Sequence, residues 1–320
     1  MGISGEKTKD CATKEKSEIV KCIQQDLKKK GLEQPECLQL IRTKAGIYVY
    51  RGVYQGVPAV IKYYERKEDR REILNYCILK RQNIPTIQTL ALGNATLVLE
   101  DLSVSTNWRL GLPEDLEDGD VAKCLARWYF SLHENGMGIP ELADLYFEYD
   151  SITEENLRLL MGKLPQAADT FHFLLDNYET LHRLIQEPTC TLTYNDFYWT
   201  NFAVRKDKQV AMMFDYNLLG RGYRYSDIRN TMSLSLEAHK VFREEYDRLF
   251  FEKYGVLREE AENKERKIDE VVAPLYTLVI AFTKHDTFPT WAEEEKEAIL
   301  NGKVLAKAKQ WLEIISAFRE

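Results

Sequence analysis

The chain is short of the residues that build self-sufficient metal or redox centres. It carries five histidines and six cysteines. No two cysteines form C-x-x-C, and none stands at zinc-ligand spacing to a histidine. That excludes zinc-ribbon and dithiol-redox readings and predicts ordinary buried or half-buried thiols in a reducing compartment. Long apolar runs are also missing. The longest, VVAPLYTLVIAF at 271–282, contains Pro274 and falls short of the roughly 20 residues a bilayer needs. It predicts a buried core helix. Positive charge is in deficit, with a net charge of −7 and a pI near 5.5. A chain held to nucleic acid by general phosphate attraction needs the opposite balance. The stretch MGISGEKTKDCATKEKSEIV is too charged for a secretory signal, and Glu6 stands where a myristoylation pattern wants Ser or Thr. The expectation is a cytoplasmic protein with no membrane or nucleic-acid partner. Glycine-rich phosphate loops are absent too, since TKAGIYVYRG (43–52) has Gly46 and Gly52 but no G-x-G-x-x-G.

What remains is a folded composition. In 320 residues, 11% are aromatic and 30% charged, enough for a large core and for two lobes. Residues 1–15 read as a polar tail. Ile19, Cys22, Ile23 and Leu27 then recur at helical spacing before Gly31. From Cys37 the texture turns β-branched and aromatic: CLQLIRT, GIYVYRGVY and VPAVIKYY predict three antiparallel strands. An amphipathic helix follows over 65–83, then two strands, TIQTLAL and ATLVLED. This β-β-β-α-β-β order is an α+β lobe with a five-stranded antiparallel sheet and one long helix. Helical periods dominate afterwards, apart from one short hairpin around TYNDFYWTNF (193–202) and QVAMMFDY (209–216). The domain boundary is placed at 102, with 1–102 as a tail, helix and nucleotide-binding β-lobe. Residues 103–320 form a helical lobe carrying the catalytic loop and substrate site.

Four separated features supply one kind of chemistry in chain order. Lys62 lies in the third strand, Glu72 in the helix after it, Asp196 and Asn201 in the ten-residue loop segment, and Asp215 at the end of the strand AMMFD. Phosphoryl transfer from ATP asks for an ammonium on the phosphates and an acid to fix that ammonium. It also asks for hard oxygen ligands for Mg²⁺ and a carboxylate near the acceptor hydroxyl. The D-x-x-x-x-N spacing puts Asp196 and Asn201 at the two ends of one tight loop, with Phe197, Tyr198 and Trp199 expected to anchor it. Taken singly each feature is ordinary: a strand lysine, a solvated helix glutamate, an aspartate starting a turn.

The ordered set resembles the aminoglycoside phosphotransferase and choline kinase family, small-molecule relatives of protein kinases. The family's loop reads roughly H-G-D-x-x-x-x-N, followed by I-D-W or I-D-F; the counterparts here are YNDFYWTN and FDY. LARWYFSLHENG (125–136), REILNYCILKRQNIP (71–85) and GRGYRYSDIRN (220–230) are similar to further family segments, and the likeness spans about residues 40–245. The resemblance implies a bilobal protein-kinase-like fold and an ATP- and Mg²⁺-dependent kinase. It makes Asp196 the catalytic base, Asn201 and Asp215 the metal ligands, and Lys62 the phosphate-holding ammonium paired with Glu72. The adenine edge is expected at backbone groups around Glu100 and Leu102, and Asp227 is expected to brace the catalytic loop.

The chain departs from the family pattern at Tyr194, where the family has histidine, and at Asn195, where it has glycine. Asparagine tolerates positive φ better than other side chains, and the tyrosine hydroxyl can replace an imidazole hydrogen bond. The acceptor stays open among a polycationic antibiotic, a choline-like amino alcohol and a sugar. The acidic run ELADLYFEYDSITEENL (141–157) suits the first, and aromatics such as Tyr198, Trp199 and Trp291 suit the second. Both sets read equally as solvated helix and plain core. An alternative from another class is a catalytically inactive nucleotide-binding scaffold, for which Tyr194 is the motive. Oligomeric state is not legible.

Overall fold

The computed structural model describes residues 4–231 and 233–317. By compactness these group into two units. Of the described residues, one unit takes 4–135, 196–219 and 233–246; the other takes 136–195, 220–231 and 247–317. The 102/103 division expected from the sequence remains a proposal about function.

The first unit begins with α1 (Ser4–Lys29). Its helical start lies well inside the stretch expected to be a tail; Glu, Lys and Ala there are strong helix formers. The prediction that this helix stops at Gly31 is met, because Gly31 takes φ 71° and the Leu32 N–H returns to the Leu27 carbonyl at 3.0 Å. Ile19, Ile23 and Leu27 are buried in one cluster with Tyr50, Ile61 and Val98 of the sheet. That sheet consists of β1 (Glu36–Lys44), β2 (Ile47–Tyr54), β3 (Val57–Tyr64), β4 (Thr89–Leu92) and β5 (Thr96–Glu100). Its order is β1-β2-β3-β5-β4, antiparallel throughout. The expected five-stranded antiparallel sheet is therefore present, and so is the helix between its third and fourth strands, shorter than the expected 65–83. The helix is α2 (Arg71–Arg81), preceded by a 3₁₀ turn at Lys67–Arg70. Its buried face carries Ile73, Tyr76, Ile78 and Leu79, and also Glu72 and Asn75.

A hairpin forms, but its first arm is Phe202–Arg205 rather than 193–202; it pairs with Ala211–Met213, and Trp108–Leu110 adds a third strand. Two thiols in this unit, Cys22 and Cys77, are half-buried and Cys124 is buried, as expected. Cys37 departs from expectation: it is exposed, at φ 54° in an irregular part of β1.

The second unit is mostly helical. The apolar run at 271–282 lies in the helix Asn263–Lys284, with Pro274 inside it and Val271, Val272, Leu275 and Leu278 fully buried. It is a core helix, as its length and proline predicted. Among the described residues, no helix is long and apolar enough to cross a membrane.

Candidate active site

Lys62 is placed by strand register. It stands opposite Val49 on β2 and Leu97 on β5, in the middle of the sheet. Its ammonium donates to both carboxylate oxygens of Glu72, at 2.8 and 3.1 Å, and to Asp215 Oδ1 at 3.1 Å. Glu72 sits in the first turn of α2 and is fully buried. A buried carboxylate needs partners, and it has a second one that the sequence reading missed: the Tyr64 hydroxyl donates to Glu72 Oε2. The signal was available, since Lys62 and Tyr64 are two apart on one strand and so share a face.

These groups set one another's charge. Burial opposes the Lys62 ammonium, but the Glu72 and Asp215 carboxylates outweigh it and hold its pKa above the usual lysine value. Burial pushes Glu72 up, Lys62 pulls it down, Asp215 adds to the rise, and the net direction is upward.

Asp215 follows the apolar strand Ala211–Met213 and occupies the left-handed region, at φ 61° and ψ 68°. A non-glycine residue in that conformation is uncommon, and here the next residues hold it. Tyr216 is fully buried, lies edge-on to Tyr76 of α2 at 4.9 Å, and offers its carbonyl to Asn75 Nδ2 at 2.7 Å. Asn217 Nδ2 donates to Asp215 Oδ1 at 2.5 Å, a partner not foreseen from the sequence. The helix that supplies Glu72 thus grips the loop that supplies Asp215.

Asp196 and Asn201 do face each other across their loop. Asn201 Nδ2 donates to Asp196 Oδ2 at 2.9 Å and to the Asp196 carbonyl at 3.1 Å. The Phe214 N–H donates to the Asn201 carbonyl at 2.8 Å, which joins this loop to the one bearing Asp215. Burial raises the Asp196 pKa, and the Asp215 charge adds to the effect. The expectation that all three intervening aromatics anchor the loop is corrected. Phe197 is buried against Phe202 and Tyr129, whereas Tyr198 is exposed and Trp199 half-buried. In a loop with irregular φ and ψ, no fixed period dictates which aromatic turns inward.

Within the second unit, the two residues before this loop are fixed by Asp227. Its carboxylate, fully buried, accepts from the Tyr194 N–H at 2.8 Å and the Asn195 N–H at 3.1 Å. Tyr194 is fully buried and Asn195 takes φ 64°, the conformation that the family's glycine would supply.

A cavity of about 430 Å³ in the first unit has Lys62, Asp196 and Asp215 in its wall together with Ile47 and Val49, while Glu72 and Asn201 do not line it. Glu100 and Leu102 do not line it. Glu100 ends β5, and the Asp101 N–H is spent on the Pro58 carbonyl at 3.2 Å, while the Leu102 carbonyl accepts from Ser105. In the second unit, the acidic run at 141–157 is divided in use. Glu148 is buried, Asp150 lies 3.5 Å from Arg221, and Glu154 pairs with Arg158 along a helix.

No family model matches the chain. Among curated proteins it is 26% identical over 168 residues to a glycosyltransferase 25 family member from Anopheles gambiae; the match takes in 49% of this chain and 28% of that protein. The chain thus spans well under a third of the length of the curated relative it matches. Solved structures align over far more of it. An ethanolamine kinase from Plasmodium vivax aligns at TM-score 0.53 and 15% identity, over 84% of each chain. A choline/ethanolamine kinase family protein from Mesorhizobium loti aligns at 0.52 and 13%, over 92% of this chain and 99% of that one. A spectinomycin phosphotransferase solved as an AMP-bound complex aligns at 0.50 and 12%, over 89% and 96%. With its five-stranded antiparallel sheet and mainly helical remainder, the chain has the protein-kinase-like fold shared by choline/ethanolamine kinases and antibiotic phosphotransferases.

Proposed function

We propose that this protein is an ATP-dependent phosphotransferase that moves the γ-phosphate to a hydroxyl of a small polar molecule. The observation that carries the reading is the convergence of Lys62, Glu72, Asp196, Asn201 and Asp215 in one compact unit, joined by hydrogen bonds of 2.8–3.1 Å. Lys62, Asp196 and Asp215 face one cavity, with Glu72 bonded to Lys62 and Asn201 to Asp196 behind them.

In this reading Lys62 holds the nucleotide phosphates, and Glu72 with Tyr64 keeps the ammonium aimed at them. The donor chemistry fits Mg²⁺: one carboxylate, Asp215, and one amide oxygen, Asn201, are hard ligands of the kind that ion takes when phosphates complete its coordination. Bound there, the ion would screen the charge of the phosphates. Asp196 receives the proton of the acceptor hydroxyl as that oxygen bonds to the γ-phosphorus and the bond to the β–γ bridging oxygen breaks. Its hydrogen bond from Asn201 orients the carboxylate. Catalysis of this type is mostly positioning and charge stabilisation, which a preassembled set of side chains supplies. Backbone groups near Glu100 and Leu102 are proposed to meet the adenine.

The test is an ATP-consumption screen over aminoglycosides, choline-like amines and sugars, with the Asp196→Ala protein as blank. A hydroxyl compound that raises ADP release by wild type alone supports the reading. Equal rates for both proteins with every compound would favour an inactive nucleotide-binding scaffold.

A further inference from the structure

We infer that Arg42, Lys44 and Arg71 grip the phosphate chain of the nucleotide, doing with side chains what a glycine-rich loop does with backbone. The inference rests on the reading of the cavity as a nucleotide site.

The turn above the cavity is too tight to cradle an anion. Ala45 and Gly46 alone connect β1 to β2, at φ 51° and 84°. Pairing runs up to the turn, with Arg42 opposite Val49, Thr43 opposite Tyr48 and Lys44 opposite Ile47. A two-residue turn with both centres at positive φ holds its strands in register, so the neighbouring N–H groups serve the ladder. Phosphate nests need several successive N–H groups pointing at one spot. The turn is also tied down: Arg66 Nη2 donates to the Ala45 carbonyl at 2.6 Å, and Arg66 Nε to Asp69 at 2.9 Å.

Side chains fill the gap. Arg42 and Lys44 are two apart and share a face of β1. Arg42, Val49 and Lys62 stand opposite one another across three successive strands, and all three line the cavity. Arg71, next to Glu72 at the start of α2, lines it as well. The two remaining cations of the wall are engaged, Lys62 by Glu72 and Asp215, Arg66 by Asp69. Among the described residues, Arg42, Lys44 and Arg71 make no ion pair. That is a notable surplus on an acidic protein of net charge −7. Five cations and three carboxylates line the cavity, and with Glu72 paired to Lys62 behind the wall one positive charge is left in excess. A metal-bound triphosphate carries negative charge, whereas a polycation would be repelled.

The test is titration of the full chain, with calorimetric readout, using MgATP and adenosine separately. Arg42→Gln, Lys44→Gln and Arg71→Gln should each weaken MgATP binding about tenfold, the expected loss of one charge-assisted contact. Adenosine affinity and melting temperature should stay at wild-type values, since these side chains are exposed. Inorganic tripolyphosphate should displace ATP from wild type and do so poorly from the variants. Wild-type MgATP affinity in all three variants overturns the inference, as does an equal loss for adenosine. If wild type itself binds no MgATP, the nucleotide reading of the cavity falls first and takes the inference with it.

Discussion

Lys62 donates to Asp215 at 3.1 Å although 153 residues separate them in the chain. The same ammonium reaches Glu72 ten residues away, so one cation ties a strand, a helix and a loop together. Lys62→Ala should leave the buried Glu72 carboxylate without its cation. Breaking a buried pair costs about 3–5 kcal/mol, and some retained hydration at Lys62 and Asp215 brings the expectation nearer about 2–3 kcal/mol. Urea denaturation measures it; an unchanged midpoint would mean the pair does not carry stability. Lys62→Met with Glu72→Gln should cost less than the sum of the single changes.

Asp196→Asn should lower the rate of phosphoryl transfer by about 10³-fold, within the range for losing a general base, while MgATP affinity changes by less than about threefold. Coupled ADP release and calorimetry separate the two effects. Burial and the Asp215 charge raise the Asp196 pKa, and the base works only when ionised. The rate should therefore fall in acid. An NMR titration of Asp196 in Asp215→Asn should show the pKa shifted down; no shift would contradict the electrostatic coupling.

Two glutamates of the second unit make stability fall as pH rises. Burial lifts Glu148 to about 7, with Arg229 and Tyr276 only partly offsetting it. Burial and the neighbouring Glu262 lift Glu265 to about 8. A folded pKa raised above the unfolded value of 4.5 contributes stability that is complete below about 4.5 and is lost as pH passes through the folded value. Glu148→Gln and Glu265→Gln should each flatten the decline between pH 5 and pH 8.5, by about 1–3 kcal/mol. Melting temperature as a function of pH is the measurement, and a wild-type curve that rises over that window would refute it.

Asp227→Ala should remove the acceptor for two N–H groups just before Asp196, at a cost of about 2–4 kcal/mol. Asn195→Gly should be tolerated at φ 64°, whereas Asn195→Ala should cost about 1 kcal/mol. Chemical denaturation of the three variants gives the ranking.

The fold was legible because its signals are local. Period-two runs marked five strands, and apolar spacing marked the helices from Ile19 and from Ile73. The site was legible only as an ordered set, since strand order alone says nothing of which side chains meet. Lys62, Glu72, Asp196, Asn201 and Asp215 do meet. Tyr64 and Asn217 escaped notice because a hydroxyl and an amide carry no motif. Arg42, Lys44 and Arg71 carry no motif, and only the fold shows that they share a cavity wall with Lys62. The exposure of Tyr198 lay beyond sequence reading for a related reason: loop torsions, not periodicity, decide which ring turns inward.

The second anchor on Glu72 has a consequence for control. Related folds can be turned off by swinging this helix outward, which separates the glutamate from its lysine. Here the Tyr64 hydroxyl also holds the carboxylate, and Asn75 fastens the same helix to the loop behind Asp215. An outward swing would strand a buried anion and break both attachments at once, so on the proposed function the site would stand assembled before its substrates arrive. Under that reading this helix would serve as a fixed brace rather than an on–off hinge.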